Sequence, residues 1–317
     1  MKNFNIQSVF YIMLLALGLN ACDEGSDPRT EYANRKFVRI SKATVSIQKG
    51  EDYTVKASFD SQETASQKFN WRILNTAVAS IARVNDSTAT ITGIEAGSTT
   101  IAIESEDGKL KYFSILHVRN VYELTRPVYL DFGVADVSDP PFNVIQKIER
   151  GATVSDLLDD EGTNTEYSIS NLTGFLSLAV SNPNVFGIPW QAANDCFFND
   201  GRLGDPPVSE SGFVISNLKK AQSYDFYIYG SLDNDVHSIV ETEFRIKGGN
   251  EGTVVVDNSR NTDRIYRVKN IFPDGDAQIT IMMGMGPGNN FWSGFYGVNV
   301  IVITPEGYDM QIPGVID

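Results

Sequence analysis

Two segments in the second half of the chain combine aromatic rings with amide, carboxylate and guanidinium groups. Planar rings stack on the C–H faces of pyranose rings, while polar groups of this kind bond sugar hydroxyls. Residues 186–202 and 284–296 therefore predict a carbohydrate-binding surface. The candidate ligand-binding residues are Trp190, Asp195, Arg202, Asn289, Asn290, Trp292 and Tyr296. A second interpretation stays open for both tryptophans, because either ring could instead fill the core of a β-sandwich.

Asp131 is a candidate for binding a structural calcium ion or a sugar hydroxyl. It lies between the apolar residues Leu130 and Phe132, so in a strand its carboxylate points to the opposite face. Carboxylate oxygens suit calcium, but the same group could also accept hydrogen bonds from a loop backbone. No segment has the D-x-[DN]-x-[DN]-G spacing of a calcium loop. We therefore assign no metal site and expect no cofactor other than this calcium.

The residue patterns give no sign of catalysis. The motifs G-x-S-x-G and H-E-x-x-H are both absent, and the chain has only the histidines His117 and His237. Cys196 is interpreted as a buried structural thiol. The prediction is that the protein is not an enzyme. A hydrolase that uses an unrecognised pair of carboxylates is the remaining alternative, since 40 acidic residues always offer pairs.

Charge and length limit the class of protein further. The 317 residues include 26 Lys and Arg against 40 Asp and Glu, for a net charge of −14. Phosphate contacts need clustered basic residues, so nucleic acid is excluded as a partner. A chain of this length corresponds to about two domains.

Residues 1–21 are predicted to be a signal peptide rather than part of the fold. The apolar run Val9–Leu19 is too short for a bilayer, which takes roughly 20 apolar residues. The run ends in Leu-Asn-Ala-Cys, which resembles the lipobox of bacterial lipoproteins and implies lipidation of Cys22. An ordinary secretory signal is the alternative.

Residues 22–36 are predicted to form a lipidated, polar tether. The acidic run Asp23–Asp27 resembles the surface-export signal of Bacteroidetes lipoproteins. This implies a lipid-anchored protein in the outer membrane that faces the cell exterior. A merely solvated acidic tether is the other interpretation of this run.

Residues 37–118 show the alternation of short β-strands. Tyr53–Phe59 and Phe69–Ile73 alternate apolar and polar residues, which predicts half-buried strands in a sandwich. Trp71, the run Ala77–Ala82 and the segment Thr92–Ile101 together resemble the bacterial Ig-like group 2 domain. The resemblance implies a spacer domain, and we expect Trp71 to fill its core.

Residues 119–317 predict a larger β-sandwich of jelly-roll type, so the whole chain is expected to be all-β. Eight or more strand patterns occur, including Val128–Phe132, Tyr224–Gly230 and Gly297–Ile303. Ser155–Asp159 could form one helical turn. Six further segments carry a resemblance: Tyr129–Gly133, Gln191–Phe198, Ile215–Leu218, Tyr224–Ser231, Pro273–Gly275 and Phe295–Asn299. Through them the unit resembles the carbohydrate-binding-like domains that accompany SGNH-type esterases. The esterase domain itself is missing, so the resemblance implies sugar binding without an activity.

These patterns together indicate a cell-surface lipoprotein whose jelly roll binds a glycan or polysaccharide, with the Ig-like domain as spacer. Partner enzymes or transporters at the cell surface would use the captured polysaccharide. Single sites of this kind bind weakly, with dissociation constants on the order of micromolar to millimolar. The alternative is an adhesive or structural envelope protein that binds another protein.

Overall fold

The computed structural model describes residues 37–59, 68–135, 138–179 and 188–317. The predicted signal peptide, the lipidation site Cys22 and the tether 22–36 lie outside these residues. The chain divides into two compact units between Val118 and Arg119. Within the described ranges, no helix is both long and apolar enough to cross a membrane.

The N-terminal unit is a sandwich of two four-stranded sheets. Its strands are β1 (Val38–Ile40), β2 (Thr44–Gln48), β3 (Asp52–Phe59), β4 (Phe69–Ile73), β5 (Ala79–Asn85), β6 (Thr88–Gly93), β7 (Gly97–Ser105) and β8 (Lys111–Arg119). One sheet has the strand order β1-β3-β6-β5 and the other β2-β8-β7-β4. Alternate residues of each strand point between the sheets, so Val55, Ile91 and Leu116 are fully buried there.

Trp71 does not fill the centre of this core. The fully buried ring of β4 is Phe69, two residues earlier on the same face, whereas Trp71 is only partly buried. β4 lies at the edge of its sheet, and the Trp71 indole N–H donates to the carbonyl of Asp86 at 3.4 Å. The expectation of a central tryptophan is therefore wrong, because the larger ring closes the margin of the sandwich.

The C-terminal unit is a larger sandwich, and both units together confirm the all-β fold class. Its strands are β9 (Val128–Phe132), β10 (Phe142–Ile145), β11 (Thr153–Val154), β12 (Ser168–Asn171), β13 (Leu176–Ala179), β14 (Asp195–Asp200), β15 (Glu210–Ser216), β16 (Tyr224–Tyr229), β17 (Glu241–Lys247), β18 (Glu251–Asp257), β19 (Ile265–Ile271), β20 (Ile279–Met285), β21 (Phe295–Val298), β22 (Val300–Pro305) and β23 (Val315–Ile316). Its helix α1 is the single turn Trp190–Ala193.

Two six-stranded sheets form the faces of this sandwich. Their strand orders are β10-β9-β22-β16-β19-β23 and β11-β12-β15-β20-β17-β18, and a three-stranded sheet β13-β14-β21 adjoins them. Aromatic rings dominate the core between them: the Phe213 ring lies 4.7 Å from the rings of both Phe132 and Phe175. Antiparallel pairing predominates in this unit, and the pairs β9–β10 and β19–β23 are parallel.

Two details of the C-terminal unit differ from the sequence-based expectation. Residues 155–159 form no helical turn, because the Asp159 carboxylate accepts N–H bonds from Glu161 and Thr163 and holds an irregular loop. The predicted strand Gly297–Ile303 is interrupted at Asn299, which separates β21 from β22. The buried Asn299 side chain accepts the backbone N–H of Ser231 and donates to the carbonyl of Asp195, so it links this break to the loop after β16 and to the start of β14.

Candidate functional site

Three loops of the C-terminal unit meet at the candidate site. They are residues 201–209 between β14 and β15, residues 230–240 between β16 and β17, and residues 286–294 between β20 and β21. Gly201 and Arg202 donate their backbone N–H groups to the carbonyls of Gly294 and Ser293, at 2.9 and 3.0 Å. The third loop joins through the backbone N–H of Asn290, which donates to the carbonyl of Ile239 at 3.0 Å. We call the exposed part of this junction, formed by Arg202, Ile239, Asn290 and Trp292, the Trp292 surface.

Glu241, the first residue of β17, fixes the glycine-rich loop 286–294. Its carboxylate accepts the N–H of Gly288 at 2.6 Å, and its carbonyl accepts the N–H of Gly286 at 2.8 Å. A Cβ atom at either glycine would lie 2.5–2.7 Å from Glu241 side-chain atoms, so the close approach requires glycine. The loop that carries Trp292 is therefore held by specific hydrogen bonds.

Trp292 presents its ring to solvent. The residue is 71% exposed, whereas its neighbour Phe291 is partly buried. Phe291 packs against a small apolar cluster of Cys196, Leu232, Val240 and Phe295, and its ring centre lies 6.0 Å from that of Trp292. Phe291 thus anchors the loop, and Trp292 is left with a face available for stacking.

Arg202 is exposed beside this tryptophan. Its guanidinium donates to the carbonyl of Phe291 and, at 2.7 Å, to the carbonyl of Asn289. These carbonyls belong to the loop on either side of residue 290, so the guanidinium is fixed against the segment that carries Trp292. An arginine has five N–H donors, and these two hydrogen bonds leave others for a ligand.

The two asparagines differ in exposure. Asn289 is buried, and its amide donates to the carbonyls of Glu241 and Phe295 at 2.8 and 2.7 Å. Asn290 is exposed, and its side-chain oxygen accepts the N–H of Ile239 at 2.6 Å. Asn289 therefore shapes the loop, while Asn290 keeps only its amide N–H₂ for a ligand.

Asp195 and Tyr296 are enclosed in the sandwich and do not join the Trp292 surface. Asp195 is fully buried against Gly133, and its carboxylate accepts the N–H of Ala135 at 2.8 Å. The Tyr296 hydroxyl donates to the carbonyl of Val208 at 2.8 Å, and burial raises its pKa to about 12. Both polar groups are thus used inside the fold. Trp190 begins α1, and its side chain lies outside the described part of the structure.

Asp131, the calcium candidate, is also fully buried. One of its carboxylate oxygens accepts the hydroxyl of Ser138 at 2.7 Å. Among the residues described here, no group of three or more His, Cys, Asp and Glu side chains is arranged to hold a metal ion. In this structure the Asp131 carboxylate binds its own loop.

Sequence reasoning missed the contribution of residues 230–240. Val236 and Ile239 are both exposed, and Ile239 borders Asn290 through two hydrogen bonds. The loop contains no Phe, Tyr or Trp, so it does not match the pattern expected of a sugar-stacking surface. The signal that could have found it is a pair of aliphatic residues, Val236 and Ile239, within the otherwise polar segment 233–239.

Comparison with known proteins identifies the N-terminal part of the chain. Residues 35–112 match the model of the family described as Bacterial Ig-like domain (group 2), which confirms the resemblance seen in the sequence. No curated protein matches the chain significantly.

Several solved structures resemble the chain at low identity. A two-domain protein with unknown function from Bacteroides fragilis is 9% identical, covers 88% of this chain and 99% of its own, and has a TM-score of 0.26. The structure of CBM51-2, in complex with GlcNAc, and INT domains from Clostridium perfringens ZmpB is 12% identical. The match covers 86% of this chain and 49% of that one, with a TM-score of 0.25. Domains 4 and 5 of the S-layer protein SbsC are 26% identical. The match covers 26% of this chain and 44% of that one, with a TM-score of 0.23.

This chain thus spans less than half the length of the S-layer and clostridial chains. At these TM-scores the likenesses carry no argument about what the chain binds. What the comparisons establish is an Ig-like group 2 segment at residues 35–112 within an all-β protein.

Proposed function

We propose that the C-terminal sandwich binds a glycan at the Trp292 surface. The observation that carries this proposal is the 71% exposure of Trp292 on a loop held by Glu241, Phe291 and Arg202. Exposure of an apolar indole ring to water is unfavourable, and a pyranose ring stacks on a flat apolar face of this kind. Because the loop is already fixed, little conformational entropy is lost when a sugar binds.

The polar groups around the ring suit an extended, hydroxyl-rich ligand. Arg202 and the amide of Asn290 can donate hydrogen bonds, and Ile239, next to Asn290, provides an apolar contact. The site is open rather than enclosed, so it is suited to one part of a polymer. We expect dissociation constants in the micromolar to millimolar range.

Replacing Trp292 by alanine should abolish polysaccharide binding. The measurement is affinity electrophoresis of the protein from residue 23 onward through gels that contain pectins, hemicelluloses, α-glucans or host glycans. Wild type should be retarded by at least one polymer and the Trp292→Ala protein by none, because a stacked ring contributes about 1–3 kcal/mol, a large share of a weak binding energy.

Phe272→Ala is the matched control for this experiment. Phe272 is likewise an exposed aromatic residue of the C-terminal unit, and it lies outside the three loops. Its loss should leave retardation unchanged. Equal retardation of wild type and Trp292→Ala would refute the proposed site.

The proposed cellular setting rests on the sequence. The lipobox-like Leu-Asn-Ala-Cys and the acidic run Asp23–Asp27 support a lipid anchor at Cys22 and a location on the outer face of a bacterial outer membrane, as in Bacteroidetes. The Ig-like domain then serves as a spacer, and enzymes or transporters at the cell surface use the captured glycan. No catalytic role is proposed.

A second candidate function is adhesion to another protein. The exposed aliphatic residues Val236 and Ile239 beside Trp292 favour it, because protein interfaces use such mixed aromatic and aliphatic patches. Absence of retardation by every polysaccharide, with folded protein shown by circular dichroism, would favour this alternative.

A further inference from the structure

Arg202 differs from most arginines of the described structure in its charge environment. Six others have a carboxylate within ion-pairing distance: Arg72, Arg83, Arg126, Arg245, Arg264 and Arg267. In the part of the chain that the structure describes, Arg202 has no such partner and bonds only carbonyl oxygens. A protein with 40 acidic residues thus leaves this exposed cation unneutralised next to its exposed tryptophan.

Two acidic residues at the strand ends beside these loops are hydrogen-bonded to groups other than Arg202. Asp200 accepts the hydroxyl of Ser293, and Glu241 accepts the N–H of Gly288. Asp205 is exposed three residues after Arg202, with no ion pair to it within 4.0 Å in the described structure. Salt screens interactions between exposed charges over a length of about 8 Å at physiological ionic strength, so distant acidic residues contribute little at Arg202. The guanidinium therefore offers a ligand a positive charge that no ion pair within the described ranges takes up, on a chain whose net charge is −14.

The geometry of Arg202 suits an anionic group better than a neutral hydroxyl. The two carbonyl contacts hold the planar guanidinium in place, so its ordering has already occurred before a ligand arrives. Its remaining N–H donors can bond a carboxylate or sulfate oxygen, and such charge-assisted bonds are roughly twice as strong as neutral ones. A neutral sugar offers this guanidinium only hydroxyl oxygens, which form the weaker, neutral-acceptor hydrogen bonds.

We propose that the Trp292 surface recognises an acidic saccharide, in which Trp292 stacks on the ring and Arg202 binds a carboxylate or sulfate group. This inference rests on the glycan-binding function proposed above and specifies its ligand class. It adds to that function a requirement for negative charge on the sugar.

The test compares acidic polymers with their neutralised forms. Polygalacturonate and alginate are each run beside the methyl-esterified polymer, and chondroitin sulfate beside its desulfated methyl ester, with wild type, Arg202→Gln and Arg150→Gln proteins. Arg150 is exposed and has no ion pair among the described residues, so its variant removes the same charge elsewhere in the unit. Wild type should bind at least one acidic polymer about 10-fold or more tightly than its ester. Arg202→Gln should weaken that binding about 10- to 100-fold, and Arg150→Gln should change it less than about twofold.

Three outcomes would overturn the inference without touching the proposed function. The first is binding of a neutral polymer by wild type with no preference for an acidic one. The second is unchanged binding of the acidic polymer by Arg202→Gln. The third is that Arg202→Gln weakens binding of the acidic and the esterified polymer equally, which would mean that Arg202 only stabilises the loop. If wild type binds none of these polymers or the wider panel, the glycan-binding function itself fails.

Discussion

Replacing Phe213 by alanine should lower the free energy of unfolding of the C-terminal unit by about 3–5 kcal/mol. Phe213 is fully buried on β15, and its ring lies 4.7 Å from those of both Phe132 and Phe175. The Phe175 and Phe213 rings are nearly parallel, with an interplanar angle of 9°. Truncation removes the contacts of both neighbours at once and leaves a cavity between the two large sheets.

Denaturant unfolding followed by circular dichroism measures this loss. Phe272→Ala is the matched control, because that ring is 43% exposed and its removal should cost less than about 1 kcal/mol. A similarly small effect for Phe213→Ala would contradict the aromatic core described for this unit.

Replacing Gly133 by alanine should destabilise the protein by roughly 2–6 kcal/mol. A Cβ atom at residue 133 would lie 1.9–2.1 Å from the carboxylate atoms of Asp195. Asp195 is a short, fully buried side chain that accepts the N–H of Ala135, so it cannot move away without losing this bond. The expected range adds overpacking strain of about 1–3 kcal/mol to a lost buried hydrogen bond of about 1–3 kcal/mol.

Gly275→Ala provides the control for this substitution. A Cβ atom at Gly275 would meet nothing within 4 Å, so its stability should change by less than about 1 kcal/mol. Thermal or denaturant unfolding of the two variants gives the comparison. Equal stability of Gly133→Ala and wild type would mean that Asp195 has room to turn, and would reopen its candidacy as a ligand-binding residue.

The strands could be predicted from the sequence because one face of each is buried. Tyr53–Phe59 and Val128–Phe132 show an alternation or an apolar run that matches β3 and β9. The interruption at Asn299 could not be predicted, because its cause is a set of hydrogen bonds to Ser231 and Asp195, far away in sequence. Local patterns report burial, whereas such breaks depend on tertiary partners.

The candidate site shows a similar division. Composition indicated loops with aromatic and amide groups, and Trp292 does lie exposed on such a loop. Composition could not distinguish the exposed Asn290 from the buried Asn289 next to it, nor show that Tyr296 points inward from β21. The two asparagines differ through their tertiary partners: Asn289 donates to the carbonyls of Glu241 and Phe295, whereas Asn290 accepts the N–H of Ile239.

The most direct test of glycan binding at the Trp292 surface is acrylamide quenching of Trp292 fluorescence. A variant with Trp71→Phe and Trp190→Phe leaves Trp292 as the sole tryptophan. Before ligand is added, its emission should be strongly quenched, because the ring is exposed. A polysaccharide that retards the protein in gels should reduce the quenching constant severalfold and shift the emission to shorter wavelength, since the sugar covers the indole. Retardation by the polysaccharide with unchanged quenching of Trp292 would contradict the account and place the glycan elsewhere on the protein.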